Sequence, residues 1–525
     1  MTTMPNPDDL PMDWVGNWIG PWARRYPGRQ AVYDAASGAH LSYAELNDKA
    51  NRMAEWLTDE LGMQPGEVVC LLCRNRLEAL YLYLACGKLG LIMAPLSYRL
   101  RPRELNDLLS RMAPAALLYE AAFDDLAGEL ELPDSLRQRY RLSEEGQELA
   151  GRLAAQSGGE QNRSLPMSAT YLYIHTGGTT ATPKVCVVPY RQMIWNSFDL
   201  MVAGGGTRDA RELITFPFFH IGGWNSLTPI LHGGGYAVLM RQFDPGELLR
   251  LIDQERIRHF GGVEAMFRFI QQHPDYEKAT LQSLEGITSA GAPCAQPVMD
   301  AFLDRGIAVT QAYGLTEAGP SNFINAAWDE DLEQMRGQTA SIGTAMPHCD
   351  YRLVDQETGE PVTAGETGVL CMRSLHHFGG YLGDTARTAK AIDDAGWVWS
   401  GDLAVEDEDG MIRIVGRADN MFVSGGENVS PEEIETVLAG HASVTQAGVV
   451  AVADDRWGQV AVAAVVAPDA ESDVLLDDLR RRCSQELAAF KRPREIRVVE
   501  GLPLTGAGKL DRSALAALFA SPDSH

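Results

Sequence analysis

The sequence predicts an α/β protein. A large N-terminal part of doubly wound, mostly parallel sheets leads to a β-rich region, and a small α+β unit closes the chain. Three observations carry this reading. Helical and strand-like patterns alternate through the first three hundred residues, the order that parallel sheets require. From Tyr351 the pattern becomes strands without an intervening helix. After Gly416 about a hundred residues remain, enough for a separate small domain.

Each element has its own signal. In "SYAELNDKANRMAEWLTDELG", Ser42 and Glu45 have capping-box spacing, and Leu46, Ala50, Met53 and Leu57 follow at helical intervals. "EVVCLLC" reads as a buried strand, "RLEALYLYLACGKLG" as a helix and "LIMAPL" as the next strand. "AALLYE" (115–120) and "TYLYIH" (170–175) add strands. A second alternating stretch, from about Tyr190 to Gly314, holds strand-like "ELITFPFFH", "YAVLM" and "GITSAGA" and the helix "DPGELLRLIDQERI". "YRLVDQETGEPVTAGETGVLCMRS" reads as a β-hairpin region. In the last unit, "SPEEIETVLAG" has Ser430 as N-cap, Pro431 at N1 and Glu433 at N3, a strong helix start. "AGVVAVAD" and "VAVAAVVAP" read as strands, "VLLDDLRRRCSQELAAF" as a helix and "EDEDG" (406–410) as a solvated turn.

Composition narrows the function. Of the 525 residues 45% are apolar, which allows a large core. The formal net charge of −26 repels nucleic acid and anionic membrane, but a local cation can still make an anion site inside a cleft. The one CxxC, Cys70 and Cys73, lies in a strand pattern with no second pair to complete a zinc site, so core packing is expected. The remaining cysteines are scattered, the expectation for a reduced, cytoplasmic protein. No signal-peptide pattern opens the chain and no apolar run approaches the ~18 residues of a membrane span.

The stretch with most chemistry is "HTGGTTATPK", residues 175–184. Gly177 and Gly178 let backbone N–H groups approach anionic oxygens; Thr176, Thr179 and Thr180 offer hydroxyls; Lys184 supplies charge. The spacing is not that of a Walker A loop, since Lys184 lies between Pro183 and Val185. By itself the stretch reads as a polyphosphate grip or as a Gly/Thr-rich surface turn.

Its neighbours decide. The stretch resembles the [YF]-T-S-G-T-T-G-x-P-K-G signature of the adenylate-forming superfamily of acyl-CoA synthetases, luciferases and peptide-synthetase adenylation domains. It departs at Gly177, Ala181 and Val185. "FPFFHIGGW" (216–224), "SAGAP" (289–293), "QAYGLTEAG" (311–319), "WSGDLAV" (399–405), "GRADNMFVSGGENVSPEEIE" (416–435) and "PLTGAGKLDR" (503–512) resemble the family's further motifs, in family order.

The resemblance implies two half-reactions: a carboxylate attacks the α-phosphorus of ATP, and a thiol then displaces AMP. The nucleophile is already an anion, so the first step needs alignment and charge neutralisation more than a base. It implies Glu317 as the Mg²⁺ ligand, Thr316 as donor to the α-phosphate, Tyr313 stacked on adenine, and Gly291, Ala292 and Pro293 as the adenine turn. Asp402 and Arg417 would hold the ribose and phosphate region. Lys509 would bridge carboxylate and phosphate, then leave as a mobile C-terminal domain turns about Asp419, dividing the chain into 1–418 and 419–525. Gly425 and Gly426 would flank the pantetheine path; "SGGEN" resembles the CoA-ligase branch and makes coenzyme A the expected acceptor. His220, Trp224, Val263 and Gly314 would line the acyl site, and Glu264, where the family commonly has Pro, would favour a polar or cationic substrate if it faced inward.

A carboxylic acid and CoA are the implied partners, with a monomer or a homodimer both found in such families. Two other readings stand beside the ligase. One is an adenylating enzyme that loads a carrier protein; the other is a weakened binder of nucleotide or acyl-adenylate, suggested by the three loop departures.

Overall fold

The computed structural model describes residues 6–144, 146–176, 183–204, 209–291, 294–325, 331–424, 427–454, 457–468, 471–487, 489–505 and 509–520. Two sheets, six and nine strands among the described residues, form the N-terminal body. In the six-stranded sheet, Gln138–Leu142, Ala116–Glu120, Val68–Leu72, Ile92–Pro95 and Thr170–Thr176 run parallel, and Lys184–Pro189 returns antiparallel at the edge. The nine-stranded sheet has a parallel centre of Ala308–Leu315, Gly286–Ala290, His259–Gly262, Arg211–Ile214, Tyr236–Leu239 and Gln30–Asp34, with antiparallel strands at both margins.

Between the sheets lies a core to which both contribute, Val69 and Met93 from one and Ala31, Ala237 and Leu239 from the other. The helices Tyr43–Glu55, Leu77–Leu89 and Ile221–His232 fill it. The expected capping box is present: the Ser42 hydroxyl accepts from the Glu45 N–H while the Glu45 carboxylate accepts from the Ser42 N–H. Leu77–Leu89 is apolar all round because it is buried all round, and even Lys88 is enclosed. The Lys88 ammonium donates to Asn17, Asn47 and Glu160 at 2.7, 2.8 and 3.1 Å, which compensates its desolvation.

The β-rich region follows as an antiparallel sheet of Cys349–Val354, Gly368–Ser374, Val398–Glu406 and Ile412–Arg417, as the loss of helical alternation predicts. Beyond it, Phe422–Ser424, Glu427–Val429, Gln446–Asp454, Gly458–Val466 and Glu495–Val498 make a last sheet. The helices Pro431–Ala439 and Ser472–Glu486 cover it around a core drawn entirely from this part of the chain.

Two expectations need correction. "ELITFPFFH" is a strand only over Arg211–Ile214. Pro217 has no N–H for a ladder, and a turn closed by the His220 N–H on the Pro217 carbonyl lifts the segment off the sheet. Ser430 is the N-cap of its helix, but its hydroxyl makes no capping bond; it donates to the Val415 carbonyl at 2.8 Å and so ties the last unit to the preceding sheet. Glu433 pairs with Lys491. Cys70 and Cys73 pack in the core as expected, and all eight cysteines are free and buried.

Candidate active site

A cleft of about 3500 Å³ opens at the carboxyl ends of the central strands and runs between the N-terminal body and the last unit. This is the place where open α/β sheets hold ligands. Its size exceeds what one small molecule needs, so several ligands can share it.

The strands Thr170–Thr176 and Lys184–Pro189 form a hairpin in which Thr176 and Lys184 are paired across the mouth. Gly177, Gly178, Thr179 and Thr180 belong to the connecting loop and lie outside the described residues, as do Ala292, Pro293, Gly425 and Gly426. The Lys184 ammonium sits 5.3 Å from the centre of the Tyr381 ring. The Tyr381 hydroxyl donates to Glu317 at 2.6 Å. Tyr381 reaches this point because residues 379–382 dock along the hairpin edge, through bonds from Gly379 and Leu382 to the Val187 and Val185 carbonyls. Sequence reasoning missed this tyrosine; its signal is an aromatic residue between glycines in "FGGYLGD".

The hairpin of Ala308–Leu315 and Gly319–Ile324 presents Tyr313, Gly314, Thr316 and Glu317 to the cleft. Gly314 is required there: a Cβ would come within 2.5 Å of the Pro320 carbonyl oxygen on the return strand. Buried Gln192 holds the turn by donating to the Thr316 carbonyl at 2.7 Å.

Tyr313, Asp402 and Arg417 form one polar group. The Tyr313 hydroxyl donates to one Asp402 oxygen, and Arg417 donates to the other at 2.7 Å and to the Ser400 carbonyl at 3.1 Å. Asp402 and Arg417 face each other in register on adjacent strands. Burial and then the Asp402 charge push the Tyr313 phenol well above its ordinary pKa, so it stays a neutral donor. Asp419 stands in the turn after Ile412–Arg417, well exposed and 3.9 Å from Arg417.

His220 is the N-cap of Ile221–His232, and its Nδ1 accepts from the Gly222 N–H at 3.0 Å. Its open edge faces the cleft. Crowding by the surrounding protein and then the Lys509 charge push its pKa down to about 4, so it is neutral at physiological pH. With Nδ1 accepting, the proton is on Nε2 and His220 is a donor toward the cleft. Lys509 is exposed and lines the same cleft. Three residues on, Arg512 pairs with Glu432 at 2.7 Å and Glu435 at 2.6 Å on Pro431–Ala439.

Val263, Gly291 and Gly314 line the cleft. Trp224 does not: it is fully buried, its ring stacked on Tyr83 and Phe218 and its N–H donated to the Phe218 carbonyl at 2.7 Å. It follows two glycines at the start of a helix and turns inward. Glu264 does line the cleft, but it is paired with Arg268 at 2.6 Å, so its charge is already answered. Among the described residues no group of three or more His, Cys, Asp or Glu is placed to hold a metal, and no helix is long and apolar enough to cross a membrane.

A large cleft lined by the Glu317 carboxylate, the Asp402–Arg417 pair, Lys184 and Lys509 suits a nucleotide-dependent group-transfer enzyme. The chain belongs to the AMP-binding enzyme family: the family model matches residues 21–382, and that of the AMP-binding enzyme C-terminal domain matches 433–509. The chain is 33% identical over 500 residues to a feruloyl-CoA synthase of Amycolatopsis sp, covering 94% of this chain and 97% of that protein. It is 30% identical to the indoleacetate–CoA ligase of Aromatoleum aromaticum, covering 96% and 98%. Among solved structures, ATP-bound MatB from Rhodopseudomonas palustris superposes with a TM-score of 0.85 at 26% identity, covering 97% of this chain and 99% of that one.

Proposed function

We infer that the protein is an AMP-forming acid–thiol ligase, which activates a carboxylic acid with ATP and passes the acyl group to coenzyme A. The observation that carries this is the convergence of Glu317, the Asp402–Arg417 pair, His220 and Lys509 on one cleft.

In our reading, Thr176, Lys184 and the loop between them grip the polyphosphate. Asp402 keeps lone pairs free beside Tyr313 and Arg417, and these accept from the ribose hydroxyls. The Tyr313 ring, steadied through its hydroxyl, stacks on adenine above Gly291. Thr316 donates to the α-phosphate. Glu317 fits a magnesium ion: Mg²⁺ takes one or two carboxylates and completes its shell with phosphate and water, and Tyr381 engages only one Glu317 oxygen. The ion, when bound, neutralises charge on the phosphates. His220 donates from Nε2 to the acid's carboxylate. Lys509 bridges that carboxylate and the phosphate, which lets two anions meet.

The same lysine then obstructs the thiol. We place a domain boundary at 418/419 and a hinge at Asp419, where the turn is exposed and its charge contact is loose. Rotation there withdraws Lys509 and brings Gly425 and Gly426 to the CoA path. Free buried cysteines throughout support a cytoplasmic location. A homodimer, which the family allows, is read by light scattering.

The test is AMP release from Mg²⁺, ATP and a panel of acids, with and without CoA. CoA-dependent AMP with at least one acid is expected. Adenylate trapped by hydroxylamine with no response to CoA would instead indicate a carrier protein as acceptor.

A further inference from the structure

The helix Tyr190–Ala203 turns an unusual side inward. Gln192, Asn196 and Asp199 stand at i, i+4 and i+7, share one side of it and are buried, while Phe198 and Val202 on another side are exposed. A surface helix normally shows the reverse. Buried polar groups need partners, so the partners show what the inward side does. Gln192 donates to the Thr316 carbonyl, as above, and Asn196 Oδ1 accepts from the Ser321 N–H at 3.1 Å. Asp199 meets the His348 ring, accepts from the His348 N–H at 3.2 Å and lies 3.0 Å from His376 Nε2. A carboxylate only accepts, so that His376 nitrogen carries a proton.

These contacts converge on the turn that presents Glu317. His376 is fully buried and packs against Gly319, where a Cβ would overlap its Nδ1. From His376 the chain continues to the site. The Phe378 N–H donates to the Glu317 carbonyl at 2.9 Å, and the Tyr381 hydroxyl donates to the Glu317 carboxylate. Two residues before His376, Ser374 donates to the Ala318 carbonyl at 3.1 Å. The successive carbonyls of Thr316, Glu317 and Ala318 are thus held, one by the helix and two by residues 374–378. Arg191 of the same helix donates to the Leu375 carbonyl at 2.8 Å, a second bond between helix and segment beside that of Asp199 to His376. A buried carboxylate–histidine pair adds little stability over an apolar pair of the same shape, but it fixes a direction that apolar packing does not.

We propose that Asp199 and His376 are positioning residues for the reaction: they fix residues 376–381 and, through them, the aim of the Glu317 carboxylate. This rests on the ligase reading, with Glu317 as the magnesium ligand. The test measures the affinity of α,β-methylene-ATP by calorimetry, with Mg²⁺ and with EDTA, and takes the ratio as the metal's contribution. Groups that orient a metal ligand from behind are worth about 10–100-fold in metal affinity or activity. Asp199→Asn and His376→Leu should therefore lower that ratio about tenfold, and kcat for AMP release with it, while the metal-free affinity holds within about twofold. His376→Gln, whose amide can reach Asp199, should restore most of the ratio. His348→Ala removes the other ring from Asp199, leaves residues 374–381 in place and should not move it. A ratio unmoved in either Asp199→Asn or His376→Leu, equal losses with and without Mg²⁺, or an equal effect of His348→Ala overturns the proposal. Where one variant fails to fold the other decides; failure of both makes the pair a folding element and overturns it too. A wild-type ratio of one removes Glu317 as the metal ligand and the proposal with it. No AMP from any acid, with the ratios behaving as expected, would overturn the ligase reading alone.

Discussion

At the scale of single residues, position in the cleft separates chemistry from packing. Lys509 is exposed and its charge reaches His220. Lys509→Ala should lower AMP release at least a hundredfold while leaving ATP affinity, measured by calorimetry, within a few-fold, because the contact we propose for it is made in the transition state. Asp402→Asn keeps the shape of its site but removes the charge that Arg417 answers. Its expected effect is a rise in the KM for ATP of about tenfold with a smaller change in kcat. Trp224 belongs to packing, and Trp224→Ala should cost about 3–5 kcal/mol in denaturant unfolding. Lys509, Glu317 and Asp402 were legible as site candidates only through the resemblance of their motifs to those of the family, and all three line the cleft. Trp224 misled because adjacency to His220 says nothing about which side of a helix faces the cleft. Tyr381 stayed hidden because it meets Glu317 only when residues 379–382 dock on a hairpin nearly two hundred positions away.

At the scale of elements, capping and alternation signals placed most helices and strands, since those signals are local. The failures are tertiary. Ser430 has the right residue at the right position for a cap, yet the Val415 carbonyl takes its hydroxyl. The strand-like "ELITFPFFH" shortens because Pro217 cannot join a ladder. The hairpin that presents Thr316 and Glu317 closes so tightly at Gly314 that a methyl group cannot enter without moving backbone. Gly314→Ala should cost about 1–3 kcal/mol and slow AMP release as well, since the displaced turn carries Thr316 and Glu317, which we propose for the phosphate and magnesium. Coupled loss of stability and rate is the expected result; an unchanged melting temperature with full activity would show that the return strand yields freely.

At the scale of the whole molecule, histidines enclosed by the fold weaken it in acid. Burial pushes His175 and His377 down to about 4 and His232 to about 3, from an ordinary value of 6.5. The unfolded chain therefore binds more protons below that ordinary value. The stability conferred by neutral burial is fully present above pH 6.5 and is lost as pH falls from there through 4. Each group adds a slope of about 1.4 kcal/mol per pH unit inside that window. Melting temperatures across pH 7.5 to 4 should fall steeply once below 6.5, and His232→Gln should flatten the curve. The β-rich sheet was readable in the loss of helical alternation after residue 350. The contacts of His259 with Glu212 and Thr288 were not, because they depend on which strands, distant in sequence, lie side by side.

All eight cysteines are buried, and burial holds the thiols of Cys70, Cys73 and Cys86 far above their ordinary pKa. Maleimide reagents should therefore find almost nothing to react with on the native protein. The wild type is then a silent background for labelling. One cysteine added to an exposed site on each side of Asp419 would carry a donor and an acceptor dye without deleting any natural residue. Fluorescence transfer between them, followed through adenylation and thioester formation, should change within a single catalytic cycle under the proposed rotation about Asp419, and constant transfer would argue against that rotation.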